Sequence, residues 1–179
     1  LKNLMYDVAI AMLPATIWGV MQFGIYSLIV VVATVLSCVL SEYLFETLMH
    51  KPVTISDGSA LVTGMILGLN MPPAIPLWMP ILGGVFAIIV VKQLYGGLGQ
   101  NWMNPALAAR CFMLISFAQA MTKFTDPVTD AVASATPLAA IKAGDTYDLA
   151  AMFIGKIPGT IGEVSVIALL IGAAYLLVK

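Results

Sequence analysis

Two stretches of the chain, Val8 to Ser41 and Gly58 to Val91, contain no Asp, Glu, Lys or Arg. Each is far longer than the roughly 20 residues that cross bilayer hydrocarbon as a helix, so each has to hold more than one element. Gly19 and Gly24 divide the first into a span near Leu4 to Val20 and another near Phe23 to Leu48. The run Met71-Pro72-Pro73-Ala74-Ile75-Pro76 divides the second, because proline removes a backbone donor and clashes with the preceding turn. Gly58 to Asn70 is then too short to cross alone and reads as a half-helix, tolerated in a membrane only where it lines protein or a cavity. The pattern predicts a full span from Trp78 to Tyr95, a shorter apolar helix from Leu107 to Ala120, and a polar stretch from Thr122 to about Thr160. A last helix runs from about Gly162 to Val178.

Composition fixes the solvent. The 179 residues are 61% hydrophobic and 9% charged, where a soluble domain carries roughly 25% charge, so the chain has too little polar surface to cover a globule in water. The expected fold is all-α: a polytopic transmembrane helix bundle of at least five membrane-crossing elements, with broken helices and internal repeats. It divides into membrane helices with a Gly/Asn-rich loop (1–121), a polar loop (122–160) and a further transmembrane helix (161–179). Ending on a span suggests a piece of a longer protein. No cleavage-like site follows the first apolar run, which argues against a secretory signal. With eight basic and nine acidic residues, nothing points to nucleic acid; the bilayer is the partner that composition implies.

Alternating the spans puts Lys2, Lys51, Lys92, Arg110 and Lys179 on one side, and Lys123, Lys142 and Lys156 on the other with Asp126, Asp130, Asp145, Asp148 and Glu163. By the positive-inside rule the first side is cytoplasmic and the polar loop faces outward. Asp57-Gly58-Ser59 and Glu163-Val164-Ser165 each place an acid two residues before a serine at a predicted helix start, where the macrodipole favours negative charge. Ordinary capping explains both; a pair of discontinuous helices at matching depths of two repeats is the sharper account. Glu42, Glu46, Asp57 and Glu163 are the acids in or at the ends of spans, where an ionisable group is expensive and often functional, although Glu42 and Glu46 also fit a side facing the interface. Cys38 and Cys111 lack metal-ligand or redox spacing, and His50 beside Lys51 reads as an interfacial residue.

Two segments carry more chemistry than packing needs. Lys92-Gln93-Leu94-Tyr95-Gly96-Gly97-Leu98-Gly99-Gln100-Asn101-Trp102-Met103-Asn104-Pro105-Ala106-Leu107 joins a span to the next helix. Its glycines let a backbone approach a flat ligand, and its amides both donate and accept, as the edge of a heterocycle requires. Asn104 before Pro105 also suits a helix N-cap. The second segment is Asp130-Ala131-Val132-Ala133-Ser134-Ala135-Thr136-Pro137, a hydroxyl between small residues with an acid six positions upstream. Read locally, Thr136 is an N-cap and Pro137 the first helical residue.

These segments, with Val53 to Gly64, Asn70-Met71-Pro72-Pro73 and Gly162-Glu163-Val164-Ser165, occur in the order seen in the RnfD family, the D subunit of the Rnf complex. The chain resembles that family over essentially all its length and is similar, more distantly, to the B subunit of the Na⁺-translocating NADH:quinone reductase. Members are longer and have two related halves, so the chain looks like the N-terminal part with the start of the second half. The resemblance implies a multi-pass subunit of the bacterial inner membrane, in a complex that couples electron transfer between ferredoxin and NAD to pumping of Na⁺ or H⁺. It implies FMN attached to Thr136 through a phosphoester, with Asp130, Ser134 and Ala135 read by a flavin transferase, and the other Rnf subunits as partners. It makes Asn101 and Asn104 candidate contacts of a second flavin, riboflavin. Ala133 departs from the family motif, which often has serine or threonine there. The redox chemistry would belong to the cofactor and its positioning to the protein.

Two other classes fit part of the pattern: a solute permease or channel, on the strength of the broken helices, and an anchoring subunit without cofactors. The orientation has a direct test. A cysteine introduced at Gly144 should react with an impermeant reagent added outside intact cells; labelling from the cytoplasmic face alone overturns the assignment.

Overall fold

The computed structural model describes residues 2–125, 132–133, 141–142, 144 and 149–179. Two long helices open the chain, α1 (Lys2–Phe23) and α2 (Ile25–Leu48), separated by Gly24 at φ 81°. The helix α3 (Ser59–Leu69) follows, then a long composite helix made of α4 (Trp78–Val85), a π-helical turn (Phe86–Lys92) and a 3₁₀ turn (Gln93–Tyr95). After the Gly/Asn loop come α5 (Pro105–Ser116) and the short α6 (Ala118–Met121). A two-residue antiparallel ladder pairs β1 (Phe124–Thr125) with β2 (Val132–Ala133). The described part ends with α7 (Leu149–Ile154) and α8 (Val166–Val178).

The predicted elements are present within a few residues. Among the described residues three helices are long and apolar enough to cross a membrane: α1, α2 and the composite Trp78–Tyr95. The shorter apolar helices α3, α5 and α8 accompany them, so the expectation of at least five crossing elements holds only if these are counted. At 11 residues, α3 rises about 16 Å, roughly half the hydrocarbon thickness; it is the half-helix that the proline run demands.

Helix α2 is amphipathic in the sense opposite to a soluble helix. Ile25, Ile29, Val32, Leu36, Leu40 and Leu44 form its exposed face, while Ser27, Thr34, Ser37, Ser41, Glu42 and Glu46 are buried. Lipid tails take the apolar stripe, and the polar groups turn to the protein because only there do they find partners. Thr34 Oγ1 and Ser37 Oγ donate back to the carbonyls of Val30 (2.7 Å) and Thr34 (2.9 Å). Small residues bring α3 against this face: a Cβ on Gly64 would lie 2.6 Å from Val35 Cα, and one on Gly68 3.0 Å from Val31 Cα.

The broken end of α3 exposes carbonyls that no water in the hydrocarbon can satisfy, and distant segments supply the donors. Gly162 N donates to Leu69 O (2.8 Å), Ile161 N to Met71 O (3.1 Å), and Tyr26 Oη to Ile75 O (2.9 Å). Met71, Pro72 and Ile75 pack into the core beside Leu67, Val30 and Met113. At the end of α2, His50 takes a left-handed φ of 52°, closing the helix with Lys51 N donating to Glu46 O (2.8 Å).

The acid-serine correspondence does not survive. Asp57 Oδ1 accepts from Ser59 N (2.7 Å) and caps α3 directly, whereas Glu163 Oε2 accepts from Thr160 (2.9 Å) and Ser165 caps α8. Asp57 sits at the start of α3 and Glu163 comes directly after Gly162, which is bonded to its end, so the two acids lie at opposite ends of one half-helix rather than at matching depths.

The close approach of α2 and α3 gives a measurable expectation. Gly64→Ala should cost about 1–3 kcal/mol by forcing the helices apart, while lipid-facing Leu40→Ala should stay within about 0.5 kcal/mol. Thermal unfolding in detergent compares the two, and equal effects would refute the packing argument.

Candidate functional site

Where α2, α3 and the composite helix meet, the chain buries a charged cluster. Lys92 is 2% exposed and Glu42 fully buried, with Lys92 Nζ 2.6 Å from Glu42 Oε1. Lys92 also donates to Ser59 Oγ (2.5 Å), and Ser59 donates in turn to Asp57 Oδ1 (2.5 Å). Gln93 Nε2 bridges Glu42 Oε1 (2.8 Å) and Glu46 Oε1 (3.2 Å). Glu46 then holds the loop after α2, accepting from Thr54 N (2.9 Å) and from Thr54 Oγ1. Three carboxylates and one ammonium thus form a continuous chain, and Glu42 Oε2 is left without a hydrogen-bond partner among the described residues.

The π-helical turn makes this possible. A wider turn inserts one residue and rotates the next part of the helix by about 100° relative to a regular α-helix. Adjacent Lys92 and Gln93 are both turned into the protein, at 2% and 3% exposure. Charge is admitted because it is paired and hydrogen-bonded; removing one partner of such a pair costs more than replacing both.

Beside the cluster lies a cavity of about 410 Å³ whose wall includes Ser59, Thr63, Lys92, Asn101 and Asn104. Asn104 does cap α5, its Oδ1 accepting from Ala106 N (3.0 Å) and Leu107 N (3.3 Å). Asn101 Nδ2 donates to Met103 O (2.7 Å), which folds the loop back on itself. The fixed halves are therefore the oxygen of Asn104 and the nitrogen of Asn101, leaving the Asn104 amide as donor and the Asn101 oxygen as acceptor. Glycines at positive φ, Gly96, Gly97 and Gly99, shape this loop.

At the opposite end of α5 a larger cavity, about 720 Å³, lies between the proline kink and α6, with Ile75, Met79, Phe117, Gln119 and Lys123 in its wall. The segment after Lys123 leads to the second sequence motif; Asp130, Ser134, Ala135 and Thr136 lie outside the described residues. Between the two cavities, Arg110 Nη1 donates to Asn70 Oδ1 (2.5 Å) at the C-terminal end of α3, where a cation suits the helix dipole.

Asn101 and Asn104 are legible in the sequence as cavity residues; Lys92 and Ser59 stand in motifs there, but not as partners in one cavity wall. By position along the chain Lys92 groups with the loop charges that set orientation, yet it is internal, and Arg110 is bonded within the bundle. Glu42 and Glu46 likewise face inward, not toward the interface. The signal in the sequence is a lone lysine closing a long uncharged stretch: an intramembrane ammonium needs a carboxylate, and α2 offers two a helical turn apart.

A polytopic helical membrane protein with a broken half-helix, buried carboxylates and an amide-lined cavity is the class defined by these features. The chain belongs to the NQR2, RnfD, RnfE family, whose model matches residues 1–179. It is 46% identical over 99% of its length to the D subunit of the Na⁺-translocating ferredoxin:NAD⁺ oxidoreductase complex of Acetobacterium woodii. It is 39% identical over 99% to the proton-translocating counterpart of Clostridium ljungdahlii, and 32% over 97% to the D subunit of the ion-translocating oxidoreductase complex of Rhodobacter capsulatus. The chain spans 58% of the length of each of these curated relatives. It is accordingly a multi-pass protein of the bacterial inner membrane.

The buried pair sets a stability expectation. Lys92→Met alone should cost about 3–5 kcal/mol by stranding Glu42, whereas Lys92→Met with Glu42→Leu should regain most of it. A double-mutant cycle on detergent unfolding reads the coupling; strictly additive losses would mean that the pair does not govern this end of the bundle.

Proposed function

We propose that the chain is the membrane electron-transfer part of an ion-translocating ferredoxin:NAD oxidoreductase, carrying FMN covalently on Thr136 and a non-covalent riboflavin in the Asn101–Asn104 cavity. It works with the other subunits of the Rnf complex, and a flavin transferase that reads Asp130, Ser134 and Ala135 loads Thr136. The observation that carries this reading is the pair of cavities at the two ends of α5, in a chain whose relatives are named as such subunits.

The donor set of the smaller cavity suits a flavin. The pyrimidine edge of the ring alternates carbonyl oxygens with a ring N–H, and Lys92, the Asn104 amide and the Asn101 oxygen offer donors and an acceptor in kind. The larger cavity gives the ring of an FMN tethered in the adjoining segment an apolar floor, with Lys123 and Gln119 as polar groups. From Pro105 to Ile115 the helix rises roughly 15 Å, so flavins in both cavities would stand in series across the bundle. Bound there, they supply the electron transfer; the chain's residues fix their spacing and exclude water.

Thr136→Ala should abolish covalent flavin fluorescence on a denaturing gel while leaving membrane insertion intact, and Thr136→Ser should retain part of it. Asp130→Ala should lower flavinylation, and Cys38→Ala and His50→Ala should not. A permease predicts no flavin signal in any variant, the parent included; parental fluorescence in Thr136→Ala would move the attachment site elsewhere.

A further inference from the structure

Lys92 is more than half of an ion pair. Lys92 and Ser59, to which its ammonium is bonded, both line the Asn101–Asn104 cavity, while Glu42 is not among the lining residues. Lys92 is therefore the member of the pair that borders the cavity. Of the three ammonium protons, two are directed to Glu42 and Ser59. Ser59 spends its proton on Asp57, so it keeps its oxygen toward Lys92. A π-helical turn, a distortion frequent at functional sites, brings Lys92 to this wall.

We propose that Lys92 is the positioning charge for the ligand of this cavity: it favours a planar ring with an imide edge and binds the reduced, singly negative form of that ring more tightly than the oxidised, neutral form. This rests on the riboflavin reading above. Two electrons and one proton entering the oxidised ring leave it with one negative charge, and Lys92 is the cation that meets it; without Lys92 a second proton would have to enter for the ring to be accommodated as neutral. The other charges near this end are Glu42, Glu46 and Asp57, all engaged within the hydrogen-bonded chain, and Lys51, whose Nζ lies over the Phe45 ring at the exposed end of α2. Without water in the cavity every charge at this end is felt more strongly, and of them Lys92 alone is a cavity-lining residue.

The test uses the full-length subunit with Thr136→Ala, so that covalent flavin does not interfere, in nanodiscs with riboflavin as the probe. Retention of riboflavin is read by absorbance, and the ratio of oxidised to reduced dissociation constants by titration with dithionite. Lys92→Gln should reduce that ratio at least tenfold, and Lys92→Arg should restore most of it. Because Lys92→Gln strands Glu42, Lys92→Gln with Glu42→Gln is measured as well and should show the same loss in a fold that keeps its pairing neutral. Asn101→Ala should weaken both forms alike and leave the ratio unchanged. Riboflavin retained with an unaltered ratio in the double variant overturns the role of Lys92. Failure of the Lys92-containing protein to retain riboflavin at all overturns the second-flavin reading instead, and with it this inference.

Discussion

The ion pair between Lys92 and Glu42 sits at the junction of three helices, and the geometry of that end of the bundle results from having to satisfy it. Neither charge reaches water. In a medium that offers no other partners, each must be met by a fixed protein group, and the cost of desolvation is offset only when hydrogen bonds complete the set. Ser59 and Gln93 do so, which requires α3 to begin beside Lys92 and the composite helix to turn two successive polar residues inward. The glycines of α3 serve the same end: Ser59 reaches Lys92 only if α3 lies nearly in contact with the backbone of α2, and Gly64 and Gly68 permit that.

The other end of α3 obeys the same rule with backbone groups. A helix that stops within the hydrocarbon leaves carbonyls facing no solvent. Here the segment entering α8, the hydroxyl of Tyr26 and the Asn70–Arg110 pair close that end, each from a different part of the chain. The half-helix is thus fixed at one end by a buried ion pair and at the other by borrowed donors. The two cavities open beside these two ends, where irregular backbone and polar side chains are already admitted, and the rigid 12-residue α5 sets the spacing between them. In the electron-transfer role proposed above, such fixed spacing is the contribution that the protein would make, since the cofactors would carry the redox chemistry.

By itself the sequence determined the solvent, the helix order, the break at Met71 to Pro76, the capping of α5 by Asn104 and the family. These depend on local chemistry: uncharged runs, proline's missing donor, and an amide placed before a proline. Tertiary structure alone decided which charges are internal. Lys92 and Glu42 are fifty positions apart, and no local pattern separates a lysine that marks a membrane face from one that closes an ion pair; only the inward rotation of the π-helical turn does. Asp57 and Glu163 make the same point in reverse. Their matching spacing to serine suggests equivalence, but hydrogen bonds from Ser59 to one and from Thr160 to the other put them at opposite ends of α3, because each carboxylate takes the donor that the fold brings within reach.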